Sequence, residues 1–176
     1  CQQIHCVTAG TGPAVLLLHG FPQTHAMLHA VAPELARDYT VVASDLRGYG
    51  QSGKPESTEA YSFREMAKDQ VELMAALGHT QFHVVGHDRG GRVAHRLALD
   101  HADRVASLTV MDIVPTHHLL DKLSKEVAAA YYHWFFLAQP YPFPERMIGH
   151  DPDAYYESCL LGWGAARLDD FHPDAL

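Results

Sequence analysis

Residues Gln81–Leu99 leave this chain little architectural choice. The apolar run Gln81-Phe-His-Val-Val85 reads as a strand, and the periodic stretch Gly90–Leu99 reads as a helix. Only Gly86-His-Asp-Arg89 separates the two. A strand that turns into a helix over so short a bend belongs to a parallel sheet with helices packed on its faces. The bend, Val84-Val-Gly-His-Asp-Arg-Gly-Gly91, sets an acid, Asp88, between Gly86 and Gly90. Glycine suits both flanking positions because the central residue is strained and neighbouring chain passes too close for a Cβ. Asp88 would stand at the N-terminus of the helix, whose dipole favours negative charge. A carboxylate is already ionised at neutral pH, so it attacks an electrophile without a helper base.

The alternation continues on both sides of this bend. Gln3-Ile-His-Cys-Val-Thr8 reads as a strand, and Ala14-Val-Leu-Leu-Leu18 as a strand buried on both faces. Thr24–Arg37 has helical spacing, with Pro33 marking a kink or a division. Tyr39–Ala43 is the next strand, and Ser62–Leu77 an amphipathic helix opened by the capping box Ser62-Phe-Arg-Glu65 and ended by Gly78. Ser107–Met111 closes a β-α-β-α-β series, so the expected class is α/β with a mostly parallel sheet. From Thr116 the pattern turns helical: Lys122–Ala138, then the proline-rich Gln139–Pro144, then pieces at Glu145–Ile148 and Asp153–Leu161. A helical block with no returning strand reads as a cap inserted over the carboxyl edge of the sheet. The expected division is residues 1–115 for the sheet domain and residues 116–176 for a partial cap.

Charge and composition narrow the function. With 13 Lys+Arg against 21 Asp+Glu and a formal net charge of -8, general attraction to nucleic acid or an anionic membrane is not expected. Any anion must be held by a local basic site. Cys1, Cys6 and Cys159 form neither a disulfide framework nor metal spacing, which fits reduced thiols in a cytoplasm. No metal and no cofactor are expected. The most apolar stretch, Val127–Ala138, is too short to span a bilayer and carries His133. There is no leader pattern, and since the chain opens at Cys1 inside a strand-like stretch, residues before it are expected to be missing.

Gly48-Tyr-Gly-Gln-Ser-Gly-Lys-Pro55 satisfies G-x-G-x-x-G and nearly matches a phosphate loop. Neither reading survives its context. Ser44-Asp-Leu-Arg47 separates the strand from the first glycine, Pro55 replaces the magnesium-binding hydroxyl, and the next helix starts well beyond Gly53. Ser52 in Gly50-Gln-Ser-Gly53 also lacks the glycine offsets of a nucleophilic serine.

Asp88 between its glycines is the nucleophile-elbow pattern with aspartate in place of serine. Together with His19-Gly-Phe-Pro22, Asp45-Leu-Arg-Gly-Tyr-Gly-Gln-Ser52, Met111-Asp-Ile-Val-Pro-Thr116 and His133-Trp-Phe-Phe-Leu-Ala-Gln-Pro140, it resembles the α/β-hydrolase superfamily, and within it the fluoroacetate (haloacetate) dehalogenases. The first two of these motifs are widespread in the superfamily; the Asp-Arg-Gly elbow with the His-Trp pair is far more specific. The GYGQSGKP segment then looks like the turn after the family's fourth strand.

The resemblance implies an α/β-hydrolase fold with a helical cap and a set of roles. Asp88 would displace halide from carbon and form an ester, which an activated water hydrolyses to glycolate. Backbone N–H groups of Phe21 and Arg89 match the family's oxyanion donors. Arg89 and Arg92, three apart on one helix face, would grip the substrate carboxylate, whereas haloalkane dehalogenases and epoxide hydrolases generally have tryptophan where Arg89 stands. A surface ion pair is the competing reading of Arg92. His133 and Trp134 match the halide-stabilising pair, although on pattern alone they would be core residues. Asp112 resembles the acid that orients the catalytic histidine, against the plainer reading of a strand-end cap.

That histidine and the family's third halide donor, a cap tyrosine, have no match before Leu176, and Tyr155 and Tyr156 stay unassigned. His172 falls in a cap-like turn. The C-terminal strands and helix are therefore expected to be missing, leaving an apolar sheet edge exposed. The expected partner is a small haloacid, with a homodimer of the full-length protein left open. The rival readings are an epoxide hydrolase and a non-catalytic carboxylate-binding protein.

Overall fold

The computed structural model describes residues 2–162 and 167–171; His172 and Cys1 lie outside the described residues. The chain divides into two compact units, Cys1–Val114 and Pro115–Leu176.

The first unit is built on five strands: β1 (Cys6–Ala9), β2 (Ala14–Leu18), β3 (Thr40–Ser44), β4 (Phe82–His87) and β5 (Val105–Met111). Their order across the sheet is β1-β3-β2-β4-β5. β1 runs antiparallel to β3, with Cys6 opposite Ser44, and every other pair is parallel. The apolar run Ala14–Leu18 is buried at all five positions because it feeds two cores. Leu16 and Leu18 pack with Met66, Met74, Phe82 and Leu97, while Val15 and Leu17 pack with Leu28, Val41 and Ala43. Burying one leucine in this way contributes about 1.5–3 kcal/mol. β2 therefore anchors the sheet.

Helix α1 (Ala32–Leu35) follows a 3-10 turn at His25–Leu28, so the helical spacing of Thr24–Arg37 is divided, with Pro33 in the first turn of α1. α2 (Phe63–Ala76) starts where the capping box predicts: the Ser62 hydroxyl accepts from the Glu65 amide. It ends in a Schellman motif, with Gly78 N–H on the Ala75 carbonyl and His79 N–H on the Met74 carbonyl. α3 (Arg89–Asp100) begins directly after Asp88. The Gly48–Pro55 segment closes on itself, Gly48 N–H donating to the Gly53 carbonyl at 3.0 Å, and after it come only a 3-10 turn at Thr58–Tyr61 and then α2 from Phe63. β5 pairs with β4 alone, and Leu108, Val110 and Met111 are exposed along it.

The second unit contains α4 (Thr116–Asp121), α5 (Lys125–Ala130), α6 (Tyr132–Leu137), α7 (Phe143–His150) and α8 (Pro152–Gly162). The single helix expected over Lys122–Ala138 is instead two, because Tyr131 leaves helical geometry at φ -103 and ψ 27. From there its ring packs against both His133 and Trp134. Pro142 and Pro144 fall at the start of α7, where an absent N–H costs no helix bond. Among the described residues no helix is long and apolar enough to cross a membrane.

Candidate active site

The bend between β4 and α3 puts Asp88 at φ 45, a left-handed region that non-glycine residues rarely occupy. Such strain costs on the order of 1–3 kcal/mol and persists only where the surroundings enforce it. Here both ends are fixed. Asp88 N–H donates to the Met111 carbonyl at 3.1 Å across the sheet, and its own carbonyl accepts from Arg92 N–H at 3.1 Å in the first turn of α3.

The carboxylate itself is held by the loop after β2: Phe21 N–H donates to Asp88 Oδ1 at 3.0 Å. Phe21 and Asp88 are thus brought together. Arg89 is the first residue of α3, so its amide has no acceptor one helical turn back. The Phe21 loop is pinned by His19, which is fully buried. His19 Nδ1 donates to the Gly20 carbonyl at 2.8 Å, and Nε2 accepts from Leu46 N–H at 2.9 Å. Burial pushes its pKa below the usual histidine range, with the Gly20 hydrogen bond opposing that shift. A neutral imidazole is what this pair of bonds requires. His19 was read from sequence as part of a widespread motif, and its tautomer-fixed role appears only once Leu46 is folded beside it.

Asp112 follows β5 directly and also has positive φ, 52. Since His87 pairs with Met111, the sheet brings Asp112 level with Asp88 on the neighbouring strand. The two arginines differ. Arg92 is buried at 6% exposure, with Nη1 donating to the Val114 carbonyl at 3.0 Å. Arg89 is half-buried with its guanidinium 5.7 Å from the centre of the Phe63 ring, a cation–π contact that the sequence did not reveal.

His133 and Trp134 lie together on α6 in the second unit, His133 buried and the two rings nearly perpendicular at 88°. Tyr131 stacks on His133 with centroids 6.1 Å apart. In the same unit Tyr155 packs on Phe136, and burial beside Cys159 pushes its phenol well above the usual tyrosine range. It stays a neutral donor at all ordinary pH.

A family model described as alpha/beta hydrolase fold matches residues 13–171, and the chain belongs to that family. Within it, the chain is 58% identical over 176 residues to a fluoroacetate dehalogenase of a Burkholderia species, covering 98% of this chain and 58% of that protein. It is 38% identical over 159 residues to a soluble epoxide hydrolase of Corynebacterium sp. strain C12, covering 90% of this chain and 55% of that one. The crystal structure of ALR0039 from Nostoc sp PCC 7120 superposes with a TM-score of 0.96 at 55% identity, over 99% of this chain and 60% of that one. The chain thus spans less than two thirds of the length of these relatives.

Proposed function

We propose that the protein to which this chain belongs is a hydrolytic dehalogenase of haloacetates, fluoroacetate among them, working through an aspartyl ester at Asp88. The observation that carries this reading is the 3.0 Å bond from Phe21 N–H to Asp88 Oδ1. It differentiates the two carboxylate oxygens. Oδ2 attacks the halogen-bearing carbon; the carbon–halogen bond breaks and its electron pair leaves with the halide. Oδ1 then becomes the carbonyl oxygen of the ester. When water attacks Cγ, negative charge gathers on Oδ1, where the Phe21 amide already points; loss of such a donor costs about 2.7–4 kcal/mol in related chemistry. The Arg89 amide is the second donor.

Arg89 and Arg92 bind the substrate carboxylate, Asp112 orients the histidine that activates water, and His133 with Trp134 receives the halide. Collapse of the tetrahedral species breaks the ester C–O bond, restores the Asp88 carboxylate and frees glycolate. The 58% identity to a fluoroacetate dehalogenase supports this substrate class over the epoxides suggested by the 38% identity to a soluble epoxide hydrolase. An epoxide route also needs an acid to protonate the ring oxygen. The free thiols of Cys6 and Cys159 support a reducing, cytoplasmic location.

The test is to quench the intact enzyme during turnover of fluoroacetate and map its peptides by mass. An adduct on the peptide holding Asp88, absent in Asp88→Asn together with fluoride release, is expected. Turnover without that adduct, or full activity in Asp88→Asn, overturns the reading.

A further inference from the structure

Three residues distant in sequence converge at the end of β3. His5, His25 and Asp45 each offer one ligand atom, and the three atoms lie within 4.8 Å of one another. The geometry points to a binding site for a borderline divalent cation of the zinc class, with two imidazoles, one carboxylate and a fourth position left to water.

The cluster is held by backbone bonds that do not depend on an ion. His5 N–H donates to Ser52 Oγ at 2.9 Å, Ser52 Oγ donates to the Asp45 carbonyl at 2.7 Å, and Asp45 N–H returns to the His5 carbonyl at 2.9 Å. His25 N–H donates to Asp45 Oδ1 at 2.9 Å. The His5 backbone and the Asp45 and His25 side chains are therefore positioned before any ion arrives, which lowers the ordering cost of binding. His25 Nδ1 lies 2.7 Å from Asp45 Oδ1, and the His5 and His25 rings are 5.1 Å apart.

Zinc bonds of about 2.1 Å in a tetrahedron separate neighbouring ligand atoms by roughly 3.4 Å. His25 Nδ1 and Asp45 Oδ1, at 2.7 Å, are closer than that and the cluster's ligand atoms all lie within 4.8 Å of one another, so side-chain adjustments of about an ångström would suffice to admit the ion. Entry of the ion displaces the His25 Nδ1–Asp45 Oδ1 contact: the neutral imidazole carries its proton on Nε2 when Nδ1 ligates, and a dication beside one carboxylate leaves the site with a net charge of +1. His25 keeps 22% of its side chain exposed, which gives a path in, and the formal net charge of -8 attracts cations. Two nitrogens and one carboxylate suit zinc, whereas magnesium and calcium want oxygen throughout. The chemistry proposed at Asp88 is untouched by this; the site would instead clamp residues 20–28 to the end of β3.

The sequence hides the cluster because positions 5, 25 and 45 obey no metal-binding spacing. The test is calorimetric titration of zinc chloride into the intact protein, with cobalt absorption as a second readout of tetrahedral nitrogen and oxygen ligation. One saturable site is expected, with His5→Gln and His25→Gln each weakening it at least about tenfold. Cys6→Ser should leave it unchanged. Absence of a saturable site in the wild type overturns the inference. So does wild-type affinity in either glutamine variant that circular dichroism finds folded. Should both variants fail to fold, the wild-type cobalt spectrum decides: tetrahedral bands support the site and an octahedral aquo spectrum overturns it.

Discussion

Arg92 is fixed by the fold, buried on α3 with Nη1 donating to the Val114 carbonyl. A planar guanidinium held in one orientation suits the carboxylate-binding role proposed for it better than a mobile ammonium would. Arg89, leaning on Phe63, is the more exposed of the two. Charge-assisted hydrogen bonds are worth about 1.5–3 kcal/mol. Replacing Arg92 by Ala should therefore lower kcat/KM for chloroacetate by roughly 10- to 150-fold. The neutral analogue chloroacetamide supplies the control, since a loss confined to the anion reports recognition and an equal loss on both reports a damaged fold. Equal losses would remove Arg92 from carboxylate binding.

The junction of β4 with α3 sets a steric limit of its own. A Cβ on Gly86 would overlap the Gly90 carbonyl and lie 2.7 Å from the Gly91 Cα, and one on Gly90 would lie 2.6 Å from the Leu18 carbonyl carbon. All of these neighbours are backbone and cannot swing aside. Gly78, at the end of α2, is the opposite case: φ is +88, but nothing lies within 4 Å of an added Cβ. Gly78→Ala should cost only the left-handed backbone penalty, about 1–2 kcal/mol. Gly86→Ala and Gly90→Ala should each cost about 3 kcal/mol or more, the upper end of overpacking. Urea midpoints of the intact protein check the order; a Gly86→Ala as mild as Gly78→Ala would show that the bend can relax.

The same elements show what a sequence exposes. Buried strands such as Ala14–Leu18 and the glycine-flanked Asp88 were readable because their signals are local: an apolar run and a three-residue pattern. What depends on chain distant in sequence was not. The antiparallel pairing of β1 with β3, the seat of Arg89 on Phe63 and the His5–His25–Asp45 cluster each join segments with no shared period. The break at Tyr131 was hidden for another reason, since helical spacing runs through it and ring packing decides the outcome.

Acid should act on the molecule in two stages set by different groups. His19 is folded as a neutral imidazole, its pKa pushed below the ordinary value of about 6.5 by burial. The unfolded chain takes up a proton there as pH falls below about 6.5, while the folded chain refuses it until its own lower pKa is reached. The stability His19 contributes is thus present above about pH 6.5 and declines below it, by at most about 1.4 kcal/mol per pH unit. Asp45 follows at lower pH. Burial opposes its ionisation, but amide bonds from His25 and Gln51 and the His25 ring outweigh that and hold its carboxyl below the usual range. Its contribution is present above about pH 3.9 and is lost as pH falls through the depressed folded value. Urea midpoints of the intact protein should therefore begin to fall between pH 7 and 5.5, with the His19 ring resonances in nuclear magnetic resonance still those of a neutral imidazole at pH 6. A flat midpoint over that interval, or a His19 ring that titrates near 6.5, would show that the folded state does not exclude the proton.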